Sequence, residues 1–206
     1  MKNPQIIYED KYLVVISKPE GLYSTSTGNP KNPFIGGLFP GFFLTHRLDA
    51  DTSGLLILAK SKQVAEKITQ QFKNREVHKT YMGVSKKKIE NPFQDTWKDK
   101  LQKTKKGRMK VVEGDGLTAI TEVEGLPIKL GTLLIFKPLT GRTHQLRIQS
   151  KHHGFPLLGD KLYGKEPYKR LMLHAFKISF KHPYQSRVLT LKDKLPEEFN
   201  RFLNCG

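Results

Sequence analysis

Asp49 is the residue of this chain best placed to do chemistry. It lies in the run His46-Arg47-Leu48-Asp49-Ala50-Asp51-Thr52-Ser53-Gly54, in a sequence with 36 Lys and Arg against 19 Asp and Glu. A formal charge of +17 suits an anionic partner, and nucleic acid is the commonest large one. In that setting a carboxylate between an arginine and a tight Thr-Ser-Gly turn needs a reason of its own. On a loop that enters a strand, a rigid element holds such a side chain while solvent and ligand still reach it. Asp51, Thr52 and Ser53 are expected to be turn and cap ligands.

Three further clusters carry reactive or charged side chains. In Thr140-Gly141-Arg142-Thr143-His144-Gln145-Leu146-Arg147, Gly141 permits a sharp turn. Thr143 is expected to cap a short helix that starts near His144 and is ended by Gly154. Arg142 then projects from a loop-to-helix junction, where it meets either a carboxylate or a phosphate. His144 and Arg147 share a helix face. The plainer reading is a basic helix end that only binds phosphate. In Val77-His78-Lys79-Thr80-Tyr81, Lys79 and Tyr81 alternate on one strand face, and Tyr81 is either half-buried packing or a platform on which a base stacks. The pair His152-His153 invites a metal reading. It has no Cys partner and no HExxH or HxxxH spacing nearby, so zinc is not expected there.

The elements that must position these residues follow from the apolar pattern. Gly54–Ala59 reads as a buried strand. Ile6–Tyr8 and Leu13–Ile16 read as strands joined by the polar turn Glu9–Lys11. Tyr23–Phe43, rich in Gly, Pro, Ser and Asn, reads as a long surface loop. Ser61 is a candidate N-cap, and Val64, Ile68 and Phe72 follow at helical spacing, which predicts a helix over Ser61–Lys73. Lys79–Val84, Thr118–Glu124 and Leu130–Lys137 read as strands. Leu171–Phe180 alternates, but its phase slips between Ala175 and Phe176, which suggests a bulge or bend. Pro196 suits the first turn of a helix running to about Leu203. Strands and helices do not alternate regularly, so the class expected is α+β.

Between Ser85 and Lys110, ten Lys or Arg stand against Glu90, Asp95 and Asp99. This segment is either a solvated loop or an arm that contacts phosphates. At 206 residues with 37% hydrophobic content, the chain can bury a substantial core as one domain or two small ones. No apolar run approaches the roughly 20 residues that span a bilayer. No signal-peptide pattern opens the chain. Cys205 is the one cysteine and cannot form an internal disulfide, so a reducing, cytoplasmic compartment is expected. A monomer is the default expectation.

Five ordered motifs resemble the RluA-type RNA pseudouridine synthases: HRLDADTSGLLILAK at His46–Lys60, KTY at Lys79–Tyr81, GRTHQLR at Gly141–Arg147, GFPLLGDKLYG at Gly154–Gly164 and LHAFKISFKHP at Leu173–Pro183. The opening IIYEDKYLVVISKPEGLYS is similar to the family's first strand pair. Many relatives carry an N-terminal S4-type RNA-binding domain; with so few residues before Ile6, none is expected here. The resemblance implies one catalytic domain over residues 1–206, with a bent, mainly antiparallel mixed sheet flanked by helices and loops. It implies isomerisation of uridine in ribosomal or transfer RNA, without metal, redox cofactor or nucleoside triphosphate. Asp49 matches the catalytic aspartate, acting as nucleophile or as base. Arg142 matches its basic partner, and Tyr81 the tyrosine that stacks on uracil. Leu146 matches an apolar residue near the base, and Arg47 the residue that fills the gap left by a flipped nucleotide. His46, Lys79 and Arg147 are expected around the substrate.

Three other readings fit less of the chain. A non-catalytic RNA-binding or ribosome-assembly protein explains the charge but not the joint presence of Asp49, Tyr81 and Arg142. A glycosidase needs carboxylates that flank a sugar about 5 Å or more apart, for which Asp49 and Asp51 on one tight loop are poorly placed. A metal-dependent nuclease needs a convergent carboxylate set, and no such cluster is visible.

Overall fold

The apolar run Leu13–Ile16 forms a strand whose side chains are buried on both faces, whereas in the run before it Ile6 is exposed. The structure, a computed structural model, describes residues 3–105 and 107–203; Lys106 and Cys205 lie outside the described residues. In chain order the elements are β1 (Gln5–Glu9), β2 (Leu13–Lys18), α1 (Ile35–Leu38), β3 (Phe43–Leu44), β4 (Ser53–Ala59), α2 (Lys62–Lys73), β5 (His78–Ser85) and β6 (Phe93–Lys103). There follow β7 (Met109–Val112), β8 (Leu117–Ile128), β9 (Gly131–Pro138), α3 (Gln145–His152), β10 (Leu173–Lys181), β11 (Val188–Lys192) and α4 (Glu197–Leu203). The class is α+β, with strands that pair mostly antiparallel. The chain divides into two compact units, Met1–Lys79 with Ala175–Lys194 and Thr80–His174 with Leu195–Gly206. Among the described residues no helix is long and apolar enough to cross a membrane.

In the first unit the strand order is β1-β2-β4-β10, with β3 on β4 and β11 on β10. The Asp10 carboxylate accepts the amides of Tyr12 and Leu13 at 2.7 and 2.9 Å, which fixes the β1–β2 turn. Every residue of β4 is buried. At α2 the Ser61 hydroxyl accepts the Val64 amide at 3.3 Å, as the capping pattern predicts. Val64, Ala65 and Ile68 on its inner face join a core with Leu13, Val15, Leu55, Ile57, Ile178, Phe180 and Leu189. Fully burying a side chain of this size stabilises by roughly 1.5–3 kcal/mol. The segment from Tyr23 to Phe43 is not purely a surface loop. Tyr23 bridges to Phe34, and Ile35 and Ser24 are buried.

In the second unit the order is β5-β9-β8-β6-β7. The basic segment expected as a loop or arm is instead built around a hairpin. Leu101 pairs with Val111, and Trp97 and Leu101 are only 2% and 1% exposed. Alternation turns Trp97, Asp99 and Leu101 to one face and Lys98, Lys100 and Gln102 to the other, where Lys110 pairs with Gln102. A second correction concerns α3. Its N-cap is His144 in the left-handed region at φ 52, with no side-chain cap bond, so Thr143 does not cap it. Gly154, at φ +82, follows its end as expected. Phe199 and Phe202 of α4 pack with Val84, Leu133, Leu158 and Met172. In β10 the strand passes from the second unit to the first between His174 and Ala175, one residue before the phase slip expected between Ala175 and Phe176, and its pairing with β11 runs on from Lys177.

Candidate active site

Asp49 is held through its neighbours. The Ser24 hydroxyl accepts the Leu48 amide at 3.0 Å and donates to the Leu48 carbonyl at 2.7 Å. On the other side, the ammonium of the fully buried Lys18 donates to the carbonyls of Pro19, Leu22 and Ala50 at 2.9, 2.9 and 3.0 Å. The Gly21 amide reaches the same Ala50 carbonyl at 2.8 Å, and the Thr52 amide closes a turn onto the Asp49 carbonyl at 3.1 Å. Residues 48 and 50 are therefore fixed by buried polar groups, while the side chain of Asp49 is half-buried. Thr52 and Ser53 are buried in the turn that leads to Gly54. Gly54 sits at φ +114 with the Ala175 backbone where a Cβ would stand, so no other residue fits.

One of the side chains expected at the substrate, His46, supports this loop. The His46 Nε2 accepts the Ile57 amide at 3.1 Å, and its ring packs on Phe72 with centroids 4.5 Å apart. Burial, and then the Lys79 ammonium, pull its pKa down to about 3. His46 is thus a neutral strut between loop and β4. Lys79 is half-buried with its ammonium 5.9 Å from the Phe72 ring, and desolvation lowers its pKa. Arg47 is exposed.

In the second unit Tyr81, on β5 opposite Phe136 of β9, packs against an apolar cluster that includes Leu146, Phe136, Trp97 and Phe155. Tyr81 and Leu146 thereby belong to one apolar cluster. Arg142 stands just before α3. Its Nε donates to the Thr118 carbonyl at 3.1 Å, and its amide donates to the Gln145 side-chain oxygen at 2.9 Å. Gln145, buried, begins a chain of bonds. Its Oε1 also accepts the Thr140 hydroxyl at 2.8 Å, and its Nε2 donates to the Thr121 hydroxyl at 2.9 Å. Thr121 donates to Gln149 Oε1 at 2.7 Å, and Gln149 Nε2 donates to Asp99 at 2.7 Å. Arg142 is thus set on a buried polar support that runs the length of α3.

Arg147, expected near the substrate, is a correction. It is 2% exposed, and its guanidinium donates two bonds to Asp160 at 2.8 and 2.7 Å. Burial pushes the Asp160 carboxyl up, but Arg147 and the amides of Leu162 and Tyr163 outweigh that and hold it below the usual range. This planar two-bond pairing ties α3 to the Gly159–Tyr163 turn. His144 likewise turns Nδ1 to the Tyr163 hydroxyl at 2.9 Å, which itself accepts the Met109 amide at 2.9 Å. Lys18 and Ser24 escape sequence reasoning. The one available signal is a lysine ending the otherwise apolar run of β2.

Chemically, the first unit offers a carboxylate on a clamped loop. The second offers an aromatic and apolar surface beside an arginine. A family model described as RNA pseudouridylate synthase matches residues 12–152, which fall in both units. The ribosomal large subunit pseudouridine synthase C of Rickettsia bellii is 36% identical over 214 residues, covering 95% of this chain and 70% of that protein. The ribosomal large subunit pseudouridine synthase D of Borreliella burgdorferi is 35% identical over 198 residues, covering 84% of this chain and 60% of that protein. Among solved structures, human RNA pseudouridylate synthase domain containing 1 superposes with a TM-score of 0.79 at 27% identity, covering 94% of this chain and 84% of that one. The chain belongs to the RNA pseudouridylate synthase family, isomerases that convert uridine in RNA to pseudouridine.

Proposed function

We propose that Asp49 carries the uridine isomerisation, on a nucleotide flipped out of large-subunit ribosomal RNA. The observation that supports it most is the clamp on either side of Asp49. Buried Ser24 and Lys18 fix the backbone of residues 48 and 50, an investment that a phosphate-binding loop does not need. The ribosomal substrate is favoured by the names of the Rickettsia and Borreliella relatives.

In the reaction the bond from C1′ to N1 breaks, the uracil turns, C5 joins C1′, C5 loses its proton and N1 gains one. The products differ only in connectivity, so no oxidant, reductant or nucleoside triphosphate is consumed. Asp49 acts as the carboxylate, either as nucleophile or as base toward the ribose. Arg142 is its basic partner and orients it by a charge-assisted bond. Tyr81 stacks on the uracil over Leu146. Arg47 fills the gap in the helix, and Lys79 contacts phosphate. C1′ and C5 cannot be reached while the nucleotide stays stacked in a helix, so flipping is required. The protein acts as a monomer in the cytoplasm.

The test is to map pseudouridine in ribosomal RNA from cells with and without the protein, by carbodiimide labelling and primer extension. One or more sites disappear without it and return with the wild type but not with Asp49→Asn. In vitro, Asp49→Asn abolishes turnover while RNA affinity stays within about tenfold, or ~1.4 kcal/mol. Turnover above about a hundredth of wild type, roughly 2.7 kcal/mol of barrier, removes Asp49 from the chemistry.

A further inference from the structure

We propose that Asp99, His152 and His153 form a binding site for a divalent zinc-class ion, apart from the residues assigned to isomerisation. The His152 Nε2 lies 3.7 Å from Asp99 Oδ1, and the His153 Nε2 lies 3.1 Å from Asp99 Oδ2. One ligand atom from each residue falls within 4.8 Å of the others. Zinc bonds of about 2.0–2.2 Å in a tetrahedral arrangement set ligand atoms roughly 3.3–3.5 Å apart, so this spacing suits the ion with small side-chain movements. Three protein ligands with water at the remaining position is a common zinc arrangement.

The surroundings are built to hold these ligands. The Asp99 side chain is only 7% exposed, yet among the described residues no lysine or arginine pairs with it, in a chain with 36 of them. Its partners are two imidazoles and the Gln149 amide, which donates to Oδ2 at 2.7 Å. Gln149 is itself fully buried and oriented by Thr121, the kind of outer support that aims a metal ligand. The His153 ring stacks on the buried Trp97 at 4.4 Å with an interplanar angle of 1°. The His152 side chain is 50% exposed, which gives an ion its way in. Lys98 and Lys100 sit on the opposite face of β6. Both histidines lie at the C-terminal end of α3, where the helix dipole favours a cation. Histidine spacing alone does not reveal such a site, because the third ligand comes from a strand far upstream. A bound ion ties the β6–β7 hairpin to α3 and stiffens the polar chain that ends at Arg142.

The experiment titrates Zn²⁺ into the full chain by calorimetry, with Co²⁺ absorption as a second readout of ligand geometry. It is run on wild type, His152→Ala, Asp99→Asn and Cys205→Ser. Wild type binds one ion per chain with a Kd below about 10 µM, and its Tm rises by several degrees at saturating zinc. His152→Ala and Asp99→Asn each weaken binding by at least tenfold, and Cys205→Ser binds as wild type does. His152 is half-exposed and its polar contact is only the 3.7 Å approach to Asp99, so that variant keeps a Tm close to wild type without metal. Binding weaker than about 100 µM in wild type, or affinity unchanged in His152→Ala, overturns the proposal and leaves a hydrogen-bonded cluster only.

Discussion

At the scale of single residues, Arg142 is the side chain whose two readings can be separated. If it only binds phosphate, Arg142→Ala weakens RNA binding and spares the rate at saturating RNA. If it pairs with Asp49, the loss appears in that rate, because the ionised, oriented carboxylate is what the chemical step needs. The expected outcome is the second, and a double-mutant cycle measures it. In an Asp49→Asn background, adding Arg142→Ala costs much less than it does in wild type. Arg142→Lys keeps the charge but loses the planar fork, and is expected to be partly active. Full additivity in single-turnover rates would exclude the pairing. Arg147 does not replace it as the candidate, because its guanidinium is spent on Asp160. The contrast between these two arginines, five positions apart in one motif, could not be read from residue type. It depends on which of them meets a buried acid, and Asp160 lies beyond the helix. Lys18 and Ser24 show the same limit, since burial of a polar side chain is decided by partners that are distant or backbone atoms.

At the scale of elements, the β6–β7 hairpin decides how the basic segment works. Lys98 and Lys100 lie on the outer face of β6, and Lys110 joins them through its pairing with Gln102. A cationic face on a rigid hairpin presents charge at fixed spacing, unlike a solvated loop. If that face meets RNA, neutralising Lys98, Lys100 and Lys110 together shallows the slope of log K against log salt by about two units, at roughly 0.7 per phosphate contact. Binding measured from low to moderate salt checks this, and an unchanged slope assigns the charge to solubility. The strands β2, β4, β8 and β9 and the helix α2 were legible because apolar residues dominate their inner faces and Ser61 marks the cap. The hairpin was not. Its inner face interleaves Trp97 and Leu101 with Asp95 and Asp99, so no apolar alternation survives and the lysines dominate any local average. The expected Thr143 cap failed because the helix starts one residue later, with His144 at φ 52 as its N-cap, and the Gln145 amide is taken by the Arg142 carbonyl at 3.0 Å.

At the scale of the whole molecule, each unit carries one histidine that stays neutral when folded. Burial, followed by the nearby Lys79 ammonium, holds His46 down to about 3; burial, followed by Arg170, does the same for His174. Unfolding returns each to an ordinary value near 6.5, so the unfolded chain binds more protons as pH falls. Their stabilising contribution is complete above pH 6.5 and is lost progressively as pH falls toward 3. For His174, only 1% exposed, the loss between pH 6.5 and 5 is about 1.6 kcal/mol. Denaturant unfolding at a series of pH values shows this as a falling midpoint, and His174→Gln flattens part of it. Asp10, lowered to about 2, adds a loss of its own that begins near the ordinary value of 3.8 and is complete only below about 2.

The division of the chain also bears on its synthesis. The core of the first unit needs Ile178, Phe180 and Leu189, and that of the second needs Phe199 and Phe202. Neither half is a contiguous stretch that can finish folding while the rest is still being made. At about 5–20 residues per second, the Asp49 loop emerges well before the strands that complete its unit. A ribosome stalled near residue 170 therefore holds two unfinished cores at once, with the apolar faces of β2 and β4 uncovered and open to a chaperone.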